Sequence, residues 1–99
     1  MTVVEILYFD GCPHYEEARA LVERVSAELA LAPEIRMTPM PDVDAAEQLR
    51  FLGSPTVRVD GRDVEPGADE RKGFAFGCRV YEGGAGAPDE QLVRDALTP

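Results

Sequence analysis

VVEILYFDGCPHYEEA, residues Val3 to Ala18, runs from an apolar segment through a turn to a cysteine and then into a helical pattern. Val3-Val4-Glu5-Ile6-Leu7-Tyr8-Phe9 is short, β-branched and aromatic and stops at Asp10-Gly11, which predicts a largely buried strand. From Tyr15 onward Ala18, Leu21, Val22, Val25 and Leu29 recur at helical spacing, with Glu16, Glu17, Glu23, Arg24 and Glu28 on the other faces. Pro13 suits the first helical position, because its ring presets φ and the N–H it lacks is one that a helix leaves unpaired. Cys12 is therefore expected at or just before a helix N-terminus. Unpaired amide hydrogens and the positive end of the helix dipole favour a thiolate there, and His14 adds a donor or cation close by. The plainer alternative is an inert, half-buried thiol at a helix start.

Ninety-nine residues predict one domain, 1–99, built on a single core. Nineteen acidic residues against ten basic ones give a formal charge of −9, which repels phosphate backbones and anionic bilayers. Neither a nucleic acid nor a membrane is an expected partner. The N-terminus has no basic stretch leading into an apolar helix, and no apolar run approaches a membrane span, so a cytoplasmic location is the default expectation. Cys12 and Cys78 are too few for a disulfide scaffold. With His14 the only imidazole, a structural zinc site of the Cys/His kind lacks ligands, and no metal site is expected.

Downstream, Glu34-Ile35-Arg36-Met37-Thr38-Pro39-Met40 alternates with period two and reads as a second strand, parallel to the first across a right-handed crossover. Asp42 is a good N-cap for a second helix with Val43, Ala46, Leu49 and Leu52 as its apolar stripe, and Gly53 suits the left-handed residue after its end. A third strand follows Ser54-Pro55-Thr56, with Val57 and Val59 facing one way and Asp60-Gly61 closing a turn. Arg62 to Gly73 reads as a long polar surface loop, and Phe74 to Tyr81 as a fourth strand with Gly77 marking a bulge. Pro88 opens a last helix with Asp89 and Glu90 in its first turn and Leu92, Val93, Ala96 and Leu97 buried.

This order, with Gly11-Cys12-Pro13-His14 at the first strand-to-helix turn and Gly53-Ser54-Pro55-Thr56 before the third strand, resembles the thioredoxin-like superfamily. The resemblance implies an α/β fold, βαβαββα, with a four-stranded mixed sheet and helices on both faces. It also implies a cis peptide before Pro55, in a loop that faces Cys12. Tyr15 stands where the dithiol members carry their second cysteine, so Cys12 has no local disulfide partner.

Three chemistries follow from the resemblance. Glutathione or another small thiol serves as co-substrate in a monothiol cycle, with Gly83-Gly84 similar to part of a glutaredoxin glutathione site. Alternatively Cys78 resolves Cys12, provided that strand pairing brings the two within about 7 Å between Cα atoms; otherwise Cys78 is a core residue. The third is thiolate-based handling of a soft metal or an organomercurial. In the redox readings Cys12, Cys78 and His14 are the catalytic candidates, and Pro13, Tyr15, Ser54, Pro55 and Thr56 the substrate-binding ones. Tyr15 is read either as a hydroxyl donor to the sulfur or as a ring packed over the sheet end. The expected partner is a thiol or disulfide, protein or small molecule, and the expected activity that of a thiol–disulfide oxidoreductase. A non-catalytic binding module on the same surface is the rival. The oligomeric state is left open.

Overall fold

The computed structural model describes residues 2–70, 77–81 and 85–98. In chain order the elements are β1 (Val3–Tyr8), α1 (Tyr15–Glu28), β2 (Glu34–Pro39), α2 (Val43–Gln48), β3 (Thr56–Val59), β4 (Arg62–Asp63), a 3₁₀ turn (Ala68–Glu70) and α3 (Glu90–Leu97). The strands lie in the order β2-β1-β3-β4. β1 runs parallel to β2 and antiparallel to β3, and β3 antiparallel to β4. This is a small α/β fold of thioredoxin-like, βαβαββα topology.

Alternation along β1 decides what covers each face. Val4 sits between Ile35 and Val59, and Ile6 between Met37 and Val57, all on one side of the sheet. Ala18, Val22 and Val25 of α1 and Val93 and Leu97 of α3 close over them, forming the main core. Leu7 points the other way, into a second cluster with Met40, Ala46 and Phe51 beneath α2. The apolar run of β1 is thus continuous because its C-terminal half is buried on both faces. Each side chain fully withdrawn from water in this way contributes roughly 1.5–3 kcal/mol.

Helix ends follow side-chain chemistry. Asp42 and Asp89 are N-caps whose carboxylates accept the Ala45 and Leu92 amides at 2.9 Å, each cap contributing about 1 kcal/mol. Both α1 and α2 end in a Schellman motif. Ala30 (φ 57°) and Arg50 (φ 57°) take the left-handed position, and the Leu31 and Phe51 amides reach back to Ser26 and Ala46 at 2.8 and 2.7 Å. Arg58 of β3 then donates to the Leu49 and Arg50 carbonyls, tying the end of α2 to the sheet.

Several expectations are corrected. α1 begins at Tyr15 with His14 as N-cap, so Pro13 precedes the helix and does not occupy its first position. α2 stops at Gln48, which carries Leu49 out of helical phase; Val43 and Leu49 are exposed, and Phe51 fills the space beneath the helix. β4 is Arg62–Asp63 and not Phe74–Tyr81. Asp60 (φ 50°) and Gly61 (φ 86°) form a complete two-residue hairpin turn, so the partner of β3 comes from the residues directly after it. Phe74 to Phe76 fall outside the described residues, and Gly77–Tyr81 is not a strand. The expected long loop is also structured over its first part, with Val64, Glu65 and Ala68 buried.

Candidate functional site

Cys12 lies in the turn between β1 and α1. Its amide donates to the Phe9 carbonyl at 3.0 Å, and its sulfur accepts the His14 amide at 3.4 Å. The sulfur is thus met by a backbone N–H, as the sequence leads one to expect, but Cys12 is only 4% exposed. The His14 ring does not provide that contact: it lies 3.6 Å from the Glu17 carboxylate and packs against Gly86 so closely that a side chain at position 86 would require the ring to shift. Tyr15 stacks its ring on Tyr8, centroids 4.4 Å apart, over the end of β1. Partial desolvation and the neighbouring Glu16 carboxylate push its phenol above the usual tyrosine range, which keeps it a neutral hydroxyl. Pro13 is exposed at the rim.

Across from this turn the Ser54–Pro55 peptide is cis. The Phe9 amide donates to Ser54 Oγ at 3.4 Å, so Phe9 is bonded both to the Ser54 loop and to Cys12. Ser54, Pro55 and Thr56 are fully buried. What covers Ser54 is the chain itself: its amide donates to the Gly77 carbonyl at 2.7 Å and its carbonyl accepts the Arg79 amide at 2.9 Å. Cys78 is therefore bridged in parallel to Ser54, and it is exposed. The core role for Cys78 is overturned, because the residue is paired on the outer edge of this loop and is exposed.

Arg79 fastens this segment from beneath. Its side chain is 1% exposed and forks onto Asp63 at 2.6 and 3.0 Å, reaches Glu65 at 3.1 Å and approaches Thr56 Oγ1 at 3.4 Å. Its guanidinium also lies 4.2 Å from the centroid of the Tyr81 ring. Burial by itself would lower the Arg79 pKa, but the Asp63 hydrogen bonds, Tyr81 and Glu65 reverse that, and the net direction is upward. Burial pushes the Tyr81 phenol well above its ordinary range, and the neutral hydroxyl donates to the Pro55 carbonyl at 2.6 Å. Thr56 Oγ1 donates to the Gly53 carbonyl at 2.6 Å. Pro55 is thereby held on one side by Thr56, a residue the sequence singles out, and on the other by Tyr81, which it does not.

The structure thus brings Cys12, His14, Ser54 and Cys78 to one end of the sheet around Phe9, Arg79 and Tyr81. Gly83-Gly84, the expected glutathione-site glycines, lie outside the described residues. Among the described residues no group of three or more His, Cys, Asp or Glu side chains is placed to hold a metal ion, and no helix is long and apolar enough to cross a membrane. A groove of about 570 Å³ lies on the far side of β4, lined by Arg62, Asp69, Glu70 and Asp95, and does not touch the cysteines. Comparison with protein-family models, with curated proteins and with solved structures finds no match to this chain. The thioredoxin-like description therefore rests on strand order and helix placement.

Proposed function

We propose that this chain is a thiol–disulfide redox protein whose centre is Cys12 with Cys78 as its second thiol. The observation that carries the reading is the bonded path between them. Cys12 and Ser54 are both hydrogen-bonded to Phe9, and Ser54 pairs with the segment bearing Cys78. Two thiols mounted on one frame favour an intramolecular disulfide over a monothiol cycle, provided that their Cα atoms come within about 7 Å.

The roles follow from placement. The His14 amide supplies the hydrogen bond to Cys12 Sγ. Ser54, Pro55 and Thr56 shape the loop against which the segment bearing Cys78 pairs, and Pro13 and Tyr15 border the outer approach. The partner is a thiol or disulfide, with glutathione as the co-substrate that exchanges electrons with the pair. Formation of the link takes two electrons and two protons from Cys12 and Cys78, and reduces one glutathione disulfide to two glutathione molecules. A reducing cytoplasmic setting would return the dithiol between cycles.

The test is equilibration in glutathione buffers of graded potential, followed by acid quenching and peptide mapping. We expect a Cys12–Cys78 cross-linked peptide that disappears as the buffer becomes more reducing. A protein recovered as the dithiol throughout would leave a docking module, for which the 4% exposure of Cys12 is the supporting observation.

A further inference from the structure

We infer that Cys78, and not Cys12, is the thiol that meets an incoming disulfide, that Cys12 resolves it from within, and that the disulfide is a small molecule. This inference rests on the two-thiol reading above and deepens it by fixing the order of attack and the substrate class.

Accessibility sets the order. In-line attack on a disulfide needs the attacking sulfur, the central sulfur and the leaving sulfur roughly collinear, so the first thiol must admit a whole disulfide from solvent. Cys78 is exposed, whereas Cys12 is 4% exposed, with its sulfur turned to the His14 amide and the His14 ring backed by Gly86. The second attack is internal and requires no solvent access.

The backbone sets the substrate class. An extended protein strand would dock through the free edge of the loop before Pro55, adding main-chain hydrogen bonds to Ser54. Both Ser54 groups are already used, by Gly77 and by Arg79, and Arg79 is anchored below by Asp63 and Glu65. The Ser54 edge before Pro55 is thus already taken by the chain itself, while the Cys78 side chain is exposed. A low-molecular-weight disulfide needs only the side chain.

The steps balance. The Cys78 sulfur attacks one sulfur of the small disulfide; a protein–small-molecule mixed disulfide forms, the original S–S bond breaks, and the first small thiolate leaves and takes up the proton released from Cys78. The Cys12 sulfur then attacks the Cys78 sulfur, the mixed disulfide breaks, the Cys12–Cys78 bond forms, and the second small thiolate leaves with the proton from Cys12. One small disulfide is reduced to two thiols and one protein dithiol is oxidised.

The experiment is a quenched time course with glutathione disulfide, read by intact mass, on the wild-type chain and on Cys12→Ser and Cys78→Ser. We expect Cys12→Ser to trap one glutathionyl group at Cys78, and Cys78→Ser to gain one at least about tenfold more slowly, because the remaining thiol is covered. Wild-type protein should pass through the Cys78 adduct and end two hydrogens lighter, with no adduct retained. Equal adduct rates in the two variants would overturn the assigned order and leave the two-thiol centre standing. A wild-type chain that keeps its adduct and never forms the internal link would remove the centre as well. Brief native alkylation of the wild type with N-ethylmaleimide gives a check that needs no substitution: Cys78 should label first, and preferential labelling of Cys12 would overturn the inference.

Discussion

Arg79→Leu is expected to lower stability by about 3–5 kcal/mol, the cost of leaving a buried ion group without its counter-charge. Asp63 and Glu65 are 2% and 7% exposed, and both face the Arg79 guanidinium. Leucine would fill part of the volume while leaving the Asp63 carboxylate, away from water, without the guanidinium that forks onto it. Lysine should rescue only in part, since a single ammonium cannot fork onto Asp63 and lie over Tyr81 together. Adding Asp63→Asn to Arg79→Leu should cost less than the sum of the two alone, because the partners act on one another. Denaturant midpoints for the single and double variants check this; a loss under about 1 kcal/mol for Arg79→Leu would mean that the carboxylates find water or protons instead.

The second large effect is expected at Gly53. With φ at 114° the backbone is in a region that side chains rarely adopt, and a Cβ there would come within 2.8 Å of the Arg79 backbone. Gly53→Ala should therefore cost about 2–4 kcal/mol through backbone strain and displacement of the Arg79 segment. Gly61→Ala is the control, because its φ is also positive, at 86°, yet nothing lies within 4 Å of the added carbon. It should cost about 1–2 kcal/mol, from the left-handed conformation alone. Thermal or denaturant unfolding of the pair separates contact from conformation. Equal losses would show that Gly53 is required for its dihedral only.

These two positions also mark where sequence reasoning reached its limit. The β1–turn–α1 segment was legible because strand alternation, Asp10-Gly11 and helical spacing all point the same way, and the structure keeps Val4, Ile6, Ala18, Val22 and Val25 in one core. Asp60-Gly61 signals a turn, but the apolar Phe74–Tyr81 segment is the stronger strand pattern and masks the strand that starts directly after the turn. Two polar residues, Arg62 and Asp63, carry no strand propensity and are recruited by the turn alone. Gly53 has the pattern of a helix stop, but Arg50 performs that task and Gly53 admits a neighbouring backbone, a contact between residues 26 apart in sequence that no local pattern encodes. Arg79 carries no signal in the sequence, since burial of an arginine becomes visible only when Asp63, Glu65 and Tyr81 are seen around it.

The pairing of Ser54 with Gly77 and Arg79 also bears on kinetics. Two thiols carried on one bonded scaffold encounter each other at an effective molarity fixed by geometry, independent of how dilute the sample is. In the two-thiol reading, ring closure is then a first-order event, and a free thiol in solution competes with it only in proportion to its own concentration. In the same reading, the Arg79 fork onto Asp63, which holds the segment bearing Cys78, belongs to the geometry on which that ring closure depends.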